Sequence, residues 1–197
     1  MTFILGLTGS IGMGKSTTAQ MFVDEGCALW DADAAVHRLY GPGGAAVAPL
    51  GLIWPEVVED GNVSREALKK VIAADPEALK RIEGIVHPLV AEDRRAFLAE
   101  ARADIVVLDI PLLFEGGSDR SMDAVVVVSV TPEVQKARVL ARGTMTEAQF
   151  EMIRAKQMPD AEKRARADYV VTTDTMDHAR AQVRQIVSEI RSKVQDA

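Results

Sequence analysis

Residues 9–16 read Gly9-Ser10-Ile11-Gly12-Met13-Gly14-Lys15-Ser16 and satisfy every fixed position of the pattern G-x-x-x-x-G-K-[ST]. The apolar run Phe3-Ile4-Leu5-Gly6-Leu7 before them has the length of a buried strand, and the spacing from Thr17 to Val23 suits a helix. A strand that ends in a glycine loop and opens a helix aims several backbone N–H groups, and the positive end of the helix dipole, at one point. A polyphosphate fits that point. Gly9, Gly12 and Gly14 put no Cβ between backbone and ligand, Lys15 can reach the β- and γ-phosphates, and the Ser16 hydroxyl can meet Mg²⁺. The nucleotide-binding set is therefore Gly9, Gly12, Met13, Gly14, Lys15, Ser16 and Thr17.

Outward from the loop, 197 residues suit one domain with appended substructures, and 48% hydrophobic with 26% charged residues is a globular balance. No apolar run approaches a membrane span, and Phe3 to Leu7 is too short for a signal peptide, so the expected compartment is the cytoplasm. Cys27 is the single cysteine, which rules out an internal disulfide and reads as a small buried residue. A net charge of −6 argues against nucleic-acid binding. Positive charge is nevertheless concentrated between Lys136 and Arg166, where eight basic residues face four acidic ones. Part of that run is a solvated helix face, and part can meet phosphate.

Ala28-Leu29-Trp30 reads as a second strand emerging at Asp31-Ala32-Asp33, one acid capping the helix Ala34 to Tyr40 and the other available for site chemistry. Gly, Pro and Ala break the pattern from Gly41 to Asp60 and mark the start of a helical insertion. Within it Ser64 caps a helix to Ala73, Asp75-Pro76 opens another, and Pro88 precedes a long helix through Ala101, with His87 at a junction. Ile105 to Asp109 is a buried strand closed by an acid, which beside such a loop suits the Mg²⁺ shell. Ala124 to Val130 is a further strand, Thr131-Pro132-Glu133 a helix start, and Arg138 and Arg142 lie one turn apart as a candidate phosphate clamp. Thr146 to Gln149 forms a capping box for a helix reaching Gln157 and ended by Pro159, so that two helices make a lid. Asp168 to Thr172 reads as the fifth strand and Met176 to Val194 as a closing amphipathic helix. The pattern predicts an α/β protein of the P-loop NTPase fold, with five mostly parallel strands flanked by helices.

A small-molecule kinase needs this loop, an acceptor site, a lid and arginines. A GTPase switch would need an Asn-Lys-x-Asp reader, but Asn62 is the lone asparagine and valine follows it. A nucleic-acid motor should be larger and carry a basic track. Asp31-Ala32-Asp33, Val86-His87-Pro88, Asp109-Ile110-Pro111-Leu112-Leu113-Phe114-Glu115, Arg138/Arg142, Gln157 and Lys163-Arg164 before Ala167-Asp168-Tyr169-Val170 resemble, with the loop and across nearly the whole chain, the dephospho-CoA kinase family. Ser10, where many members have glycine, and Thr172-Thr173-Asp174, in place of an asparagine-containing turn, depart from its pattern.

The resemblance implies ATP- and Mg²⁺-dependent phosphorylation of the ribose 3′-hydroxyl of dephospho-CoA, with another nucleoside or nucleotide kinase as the alternative and a switch protein behind it. It implies a single kinase-like domain: a core of about 1–34, 104–135 and 164–197, a helical acceptor-side insertion of about 35–103 and a lid of about 136–163. Asp33 would accept the hydroxyl proton, with Lys15, Arg138 and Arg142 also catalytic. Thr8, Asp33, His87 and Glu115 would contact the acceptor, and Ser16 and Asp109 would hold the metal. Small-molecule substrates, no nucleic acid or membrane, and a monomer or weak homo-oligomer complete the expectation.

Overall fold

The computed structural model describes residues 2–195. The chain divides into two compact units, one made of the described residues up to 30 and from 101 onward, the other of Asp31–Glu100. In the first, β1 (Phe3–Thr8) runs through the loop into α1 (Lys15–Asp24) and returns as β2 (Ala28–Asp31). The second unit holds α2 (Ala32–Tyr40), α3 (Val47–Ile53), the short strands β3 (Val58–Glu59) and β4 (Asn62–Val63), α4 (Arg65–Ala74) and α5 (Ala78–Glu100). The chain then completes the first unit with β5 (Ile105–Asp109), β6 (Ala124–Ser129), α6 (Pro132–Ala141), α7 (Glu147–Lys156), α8 (Asp160–Arg166), β7 (Tyr169–Thr172) and α9 (Met176–Gln195).

The five-stranded parallel sheet has the order β2-β5-β1-β6-β7, which makes β1 the middle strand. Leu7 stands opposite Asp109 on one side and Val126 on the other, so the loop emerges between the ends of β5 and β6. Every residue of β5 and β6 is buried, as continuous β-branched runs covered on both faces require. One face packs on α1 and α9 through Met21, Phe22, Val183, Val187 and Ile190. Each such side chain contributes roughly 1.5–3 kcal/mol on burial. A smaller cluster of Leu113, Phe114, Val125 and Val127 lies beneath the segment after β5. Among the described residues no helix is long and apolar enough to cross a membrane.

The second unit has its own core, with Leu39, Leu50, Trp54, Val57, Leu68, Val71, Ile82 and Val86 buried together. Its elements differ from the expectation in four places. The Gly/Pro/Ala stretch contains α3, because Ala46, Leu50 and Trp54 recur on one face and Pro49 falls in the first turn, where its missing N–H costs nothing. Asp60 (φ 49°) and Gly61 (φ 77°) form a two-residue turn pairing Val58 with Val63 and Glu59 with Asn62, so the insertion is not wholly helical. Asp75 accepts from the Glu77 N–H at 2.9 Å and the helix starts at Ala78, not at Pro76. Pro88 lies inside α5 instead of opening a helix. Proline there forgoes the N–H bond to the Gly84 carbonyl, and Ile82 and Val86, buried in this unit's core, hold the helix across that gap. Ser64 caps α4 through the Ala67 N–H at 3.3 Å, as its position predicts.

Candidate active site

Gly14 caps α1 in the left-handed conformation (φ 93°), no side chain caps that end, and its first turn holds no acid. The amino end of α1 is thus open to an anion. Lys15 and the exposed Ser16 and Thr17 form that turn. The Lys15 ammonium pairs with the carboxylate of Asp109, the last residue of β5, which is 1% exposed.

Side chains distant in sequence brace the loop from behind. The Val130 N–H donates to Met13 Sδ at 3.3 Å, and the Thr173 hydroxyl donates to the Met13 carbonyl at 2.6 Å. Gln135 Nε2 donates to the Ile11 carbonyl at 2.8 Å, and the Ile11 N–H donates to Gln157 Oε1 at 3.2 Å. Gly9 and Gly12 are required by close approach: a Cβ on Gly9 would lie 2.3 Å from Val128 Cγ2, and one on Gly12 2.5 Å from Val139 Cγ2.

The two arginines differ in occupation. Arg138 NH1 donates to Thr173 Oγ1 at 3.0 Å and its NH2 to the Thr173 carbonyl, whereas Arg142, the C-cap of α6, is exposed. Both line a pocket of about 270 Å³ together with Gly14, Thr17, Thr173 and Asp174. The expected joint clamp is therefore modified: they share a pocket, but Arg138 is already engaged with Thr173. The capping box at Thr146 and Gln149 forms as the sequence predicts. Thr131 occupies the N-cap of α6 without a side-chain cap bond. The segment after Pro159 is a separate short helix, α8, which Ser129 fastens by donating its hydroxyl hydrogen to Asp160 Oδ2 at 2.8 Å.

Thr8 has an occupation other than the one expected. It is fully buried, and its hydroxyl donates to the Pro111 carbonyl at 3.1 Å, tying β1 to the segment after Asp109. Glu115 is likewise held by the protein: Oε1 accepts from the Met158 N–H at 2.9 Å and lies 2.9 Å from Nζ of the fully buried Lys163. That last contact is an ion pair outside hydrogen-bond geometry. Burial pushes the Glu115 carboxyl up, but the Met158 N–H and the Lys163 ammonium outweigh it and hold the group below the usual glutamate value.

Asp33 and His87 belong to the other unit. Asp31 is the N-cap of α2 and accepts from the Ala34 N–H at 2.9 Å, which leaves Asp33 exposed in the first turn. His87 is exposed on α5, with Val86 beside it in the core. Gln135 carries no local motif, Thr173 stood out only as part of an unusual turn after the last strand, and Lys163 only within the Lys163-Arg164 pair of the family resemblance, with its ion pair to Glu115 unforeseen.

The sequence model of the family described as Dephospho-CoA kinase matches residues 3–178. A Dephospho-CoA kinase of Ruegeria pomeroyi is 72% identical over 192 residues, covering 98% of each chain. One from Cereibacter sphaeroides is 62% identical over 189 residues, covering 96% of each. Among solved structures, TT1252 from Thermus thermophilus superposes with a TM-score of 0.85 at 32% identity, covering 95% of this chain and 97% of that one. Matches of this identity and extent, on a P-loop set between β5 and β6, decide the matter: the chain belongs to the dephospho-CoA kinase family.

Proposed function

We propose that the chain transfers the γ-phosphoryl group of ATP to the ribose 3′-hydroxyl of dephospho-CoA, giving CoA and ADP, the last step of coenzyme A synthesis. The observation that carries this reading is the uncapped amino end of α1, with Lys15 beside the buried Asp109. Family membership supports the acceptor.

In this mechanism the loop amides and Lys15 hold the β- and γ-phosphates in line with the acceptor, so positioning and charge neutralisation supply most of the rate. Ser16 and Asp109 would hold Mg²⁺ through hard oxygen donors, the buried Asp109 carboxylate being the one that pairs with Lys15. The ion, when bound, neutralises phosphate charge. Asp33, exposed in the first turn of α2, orients the 3′-hydroxyl and accepts its proton. Arg142 is available to neutralise the moving phosphoryl group, and Arg138 serves from the same pocket. His87 contacts the acceptor, and Glu115 shapes its surroundings through Met158 and Lys163. The reaction belongs to the cytoplasm, with the chain as a monomer or weak homo-oligomer.

The test offers ATP and Mg²⁺ with dephospho-CoA, AMP, CMP, shikimate or adenosine and follows ADP. Dephospho-CoA should exceed each alternative by at least about tenfold in kcat/KM, the discrimination given by ~1.4 kcal/mol of transition-state binding. Equal or better turnover of another acceptor overturns the reading.

A further inference from the structure

We infer that Gln135 and Gln157 are positioning residues, which set the aim of the loop's phosphate-facing amides by gripping Ile11 from both sides. The inference rests on the loop being the ATP site. Gln135 donates to the Ile11 carbonyl and Gln157 accepts from the Ile11 N–H. Because the partners are backbone groups of opposite polarity, each side-chain amide has its orientation dictated. Gln135 is 3% exposed on the inner side of α6 and has little access to water as an alternative partner.

The contact is close enough to define the loop's shape. A Cβ on Gly12 would lie 3.1 Å from the Gln135 carbonyl as well as 2.5 Å from Val139 Cγ2, so the loop crest rests directly on α6. The peptide joining Ile11 to Gly12 is planar and trans, which puts its oxygen and its hydrogen on opposite sides. Holding the Ile11 oxygen toward Gln135 therefore turns the Gly12 N–H away from α6. Gln157, just beyond α7, engages the Ile11 N–H. The loop's donors are thereby divided between those spent on the protein and those left for phosphate. The two glutamines also border a cavity of about 680 Å³ that Ser10, Met13 and Thr172 help to line.

The test exploits the opposite polarity of the two grips. Each glutamine is changed to Met, which keeps length but makes neither bond, and to Glu, which accepts but does not donate. ATP affinity is measured by direct binding, alongside melting temperature, kcat and the KM values of both substrates. Gln135→Met and Gln135→Glu should both weaken ATP and lower kcat by about tenfold or more, as expected when preorganised donors lose their aim. KM for dephospho-CoA should stay within about twofold, because the acceptor's own contacts are untouched. Gln157→Met should behave in the same way, whereas Gln157→Glu should recover most of the loss, because the Ile11 N–H again finds an acceptor.

Equal behaviour of Met and Glu at position 157, or unchanged ATP affinity in folded Gln135→Met, overturns the inference; so does a lowered melting temperature with unchanged kinetics. If Gln135→Met does not fold, Gln135→Lys, which keeps a donor toward the Ile11 oxygen, must bind ATP more tightly than Gln135→Glu, and failure to do so is equally fatal. If the wild type leaves dephospho-CoA unphosphorylated while these variants lose ATP affinity, the acceptor assignment falls and the positioning inference stands.

Discussion

The Asp31/Asp33 pair shows how one backbone contact separates two like residues. With Asp31 bonded to the Ala34 N–H, Asp33 is exposed and free of the capping role. Asp33→Asn should lower kcat by about 10²–10⁴-fold, the usual worth of a positioned base, with an unchanged melting temperature; wild-type turnover would remove Asp33 from the mechanism. Lys15→Ala should lower kcat by about 10³-fold or more, since the charge it supplies is needed at the phosphates. The buried Lys163 makes a different demand. Glu115→Ala leaves that ammonium without its counter-charge and should cost about 3–5 kcal/mol in urea unfolding, much of it regained on adding Lys163→Met. The placement of the loop, of Asp109 at the end of β5 and of the Asp31 cap was legible because these positions follow from motif and chain order. Gln135 and Thr173 were not, because each acts on residues more than 120 positions away.

For strands and helices, local chemistry carried most of the information. The continuous runs of β5 and β6, the cap at Ser64 and the box at Thr146 each form where their residue types lead. Misreadings arose where tertiary packing overrode a local signal, as at Pro88, or where a signal went unread, as at Asp60-Gly61. The loop's own geometry yields a prediction at this scale. Gly12→Ala meets Val139 and the left-handed φ of 77° together, so it should both destabilise the fold, by about 1–3 kcal/mol, and weaken ATP binding. Calorimetry and nucleotide titration read the two effects separately, and an undisturbed protein would mean that α6 yields easily.

Across the whole molecule, α9 is joined to the sheet's far end by Arg191, whose Nε donates to Asp104 Oδ2 at 2.7 Å and whose NH2 donates to the Glu25 carbonyl at 3.1 Å. The hydrogen bond from Arg191 is the main reason the Asp104 carboxyl sits below its ordinary value. A depressed folded-state value stabilises the protein above the unfolded carboxylate range, and that stabilisation is lost as pH falls through the folded value. Arg191→Ala should therefore be less stable than wild type at pH 7, with about 1 kcal/mol or less of the difference due to so exposed an ion pair, and the difference should narrow as pH falls below about 4, leaving the part due to the Glu25 carbonyl bond. Burial is the chief influence on the Cys27 thiol and pushes it up to about 11, and the side chain is 5% exposed. The chain's one sulfhydryl is thus hidden and held in its unreactive protonated form. A cysteine introduced at the exposed Glu59 beside the hairpin turn would then be the single handle that a maleimide dye or a resin could seize, so the enzyme could be tagged or immobilised selectively without first removing any native thiol.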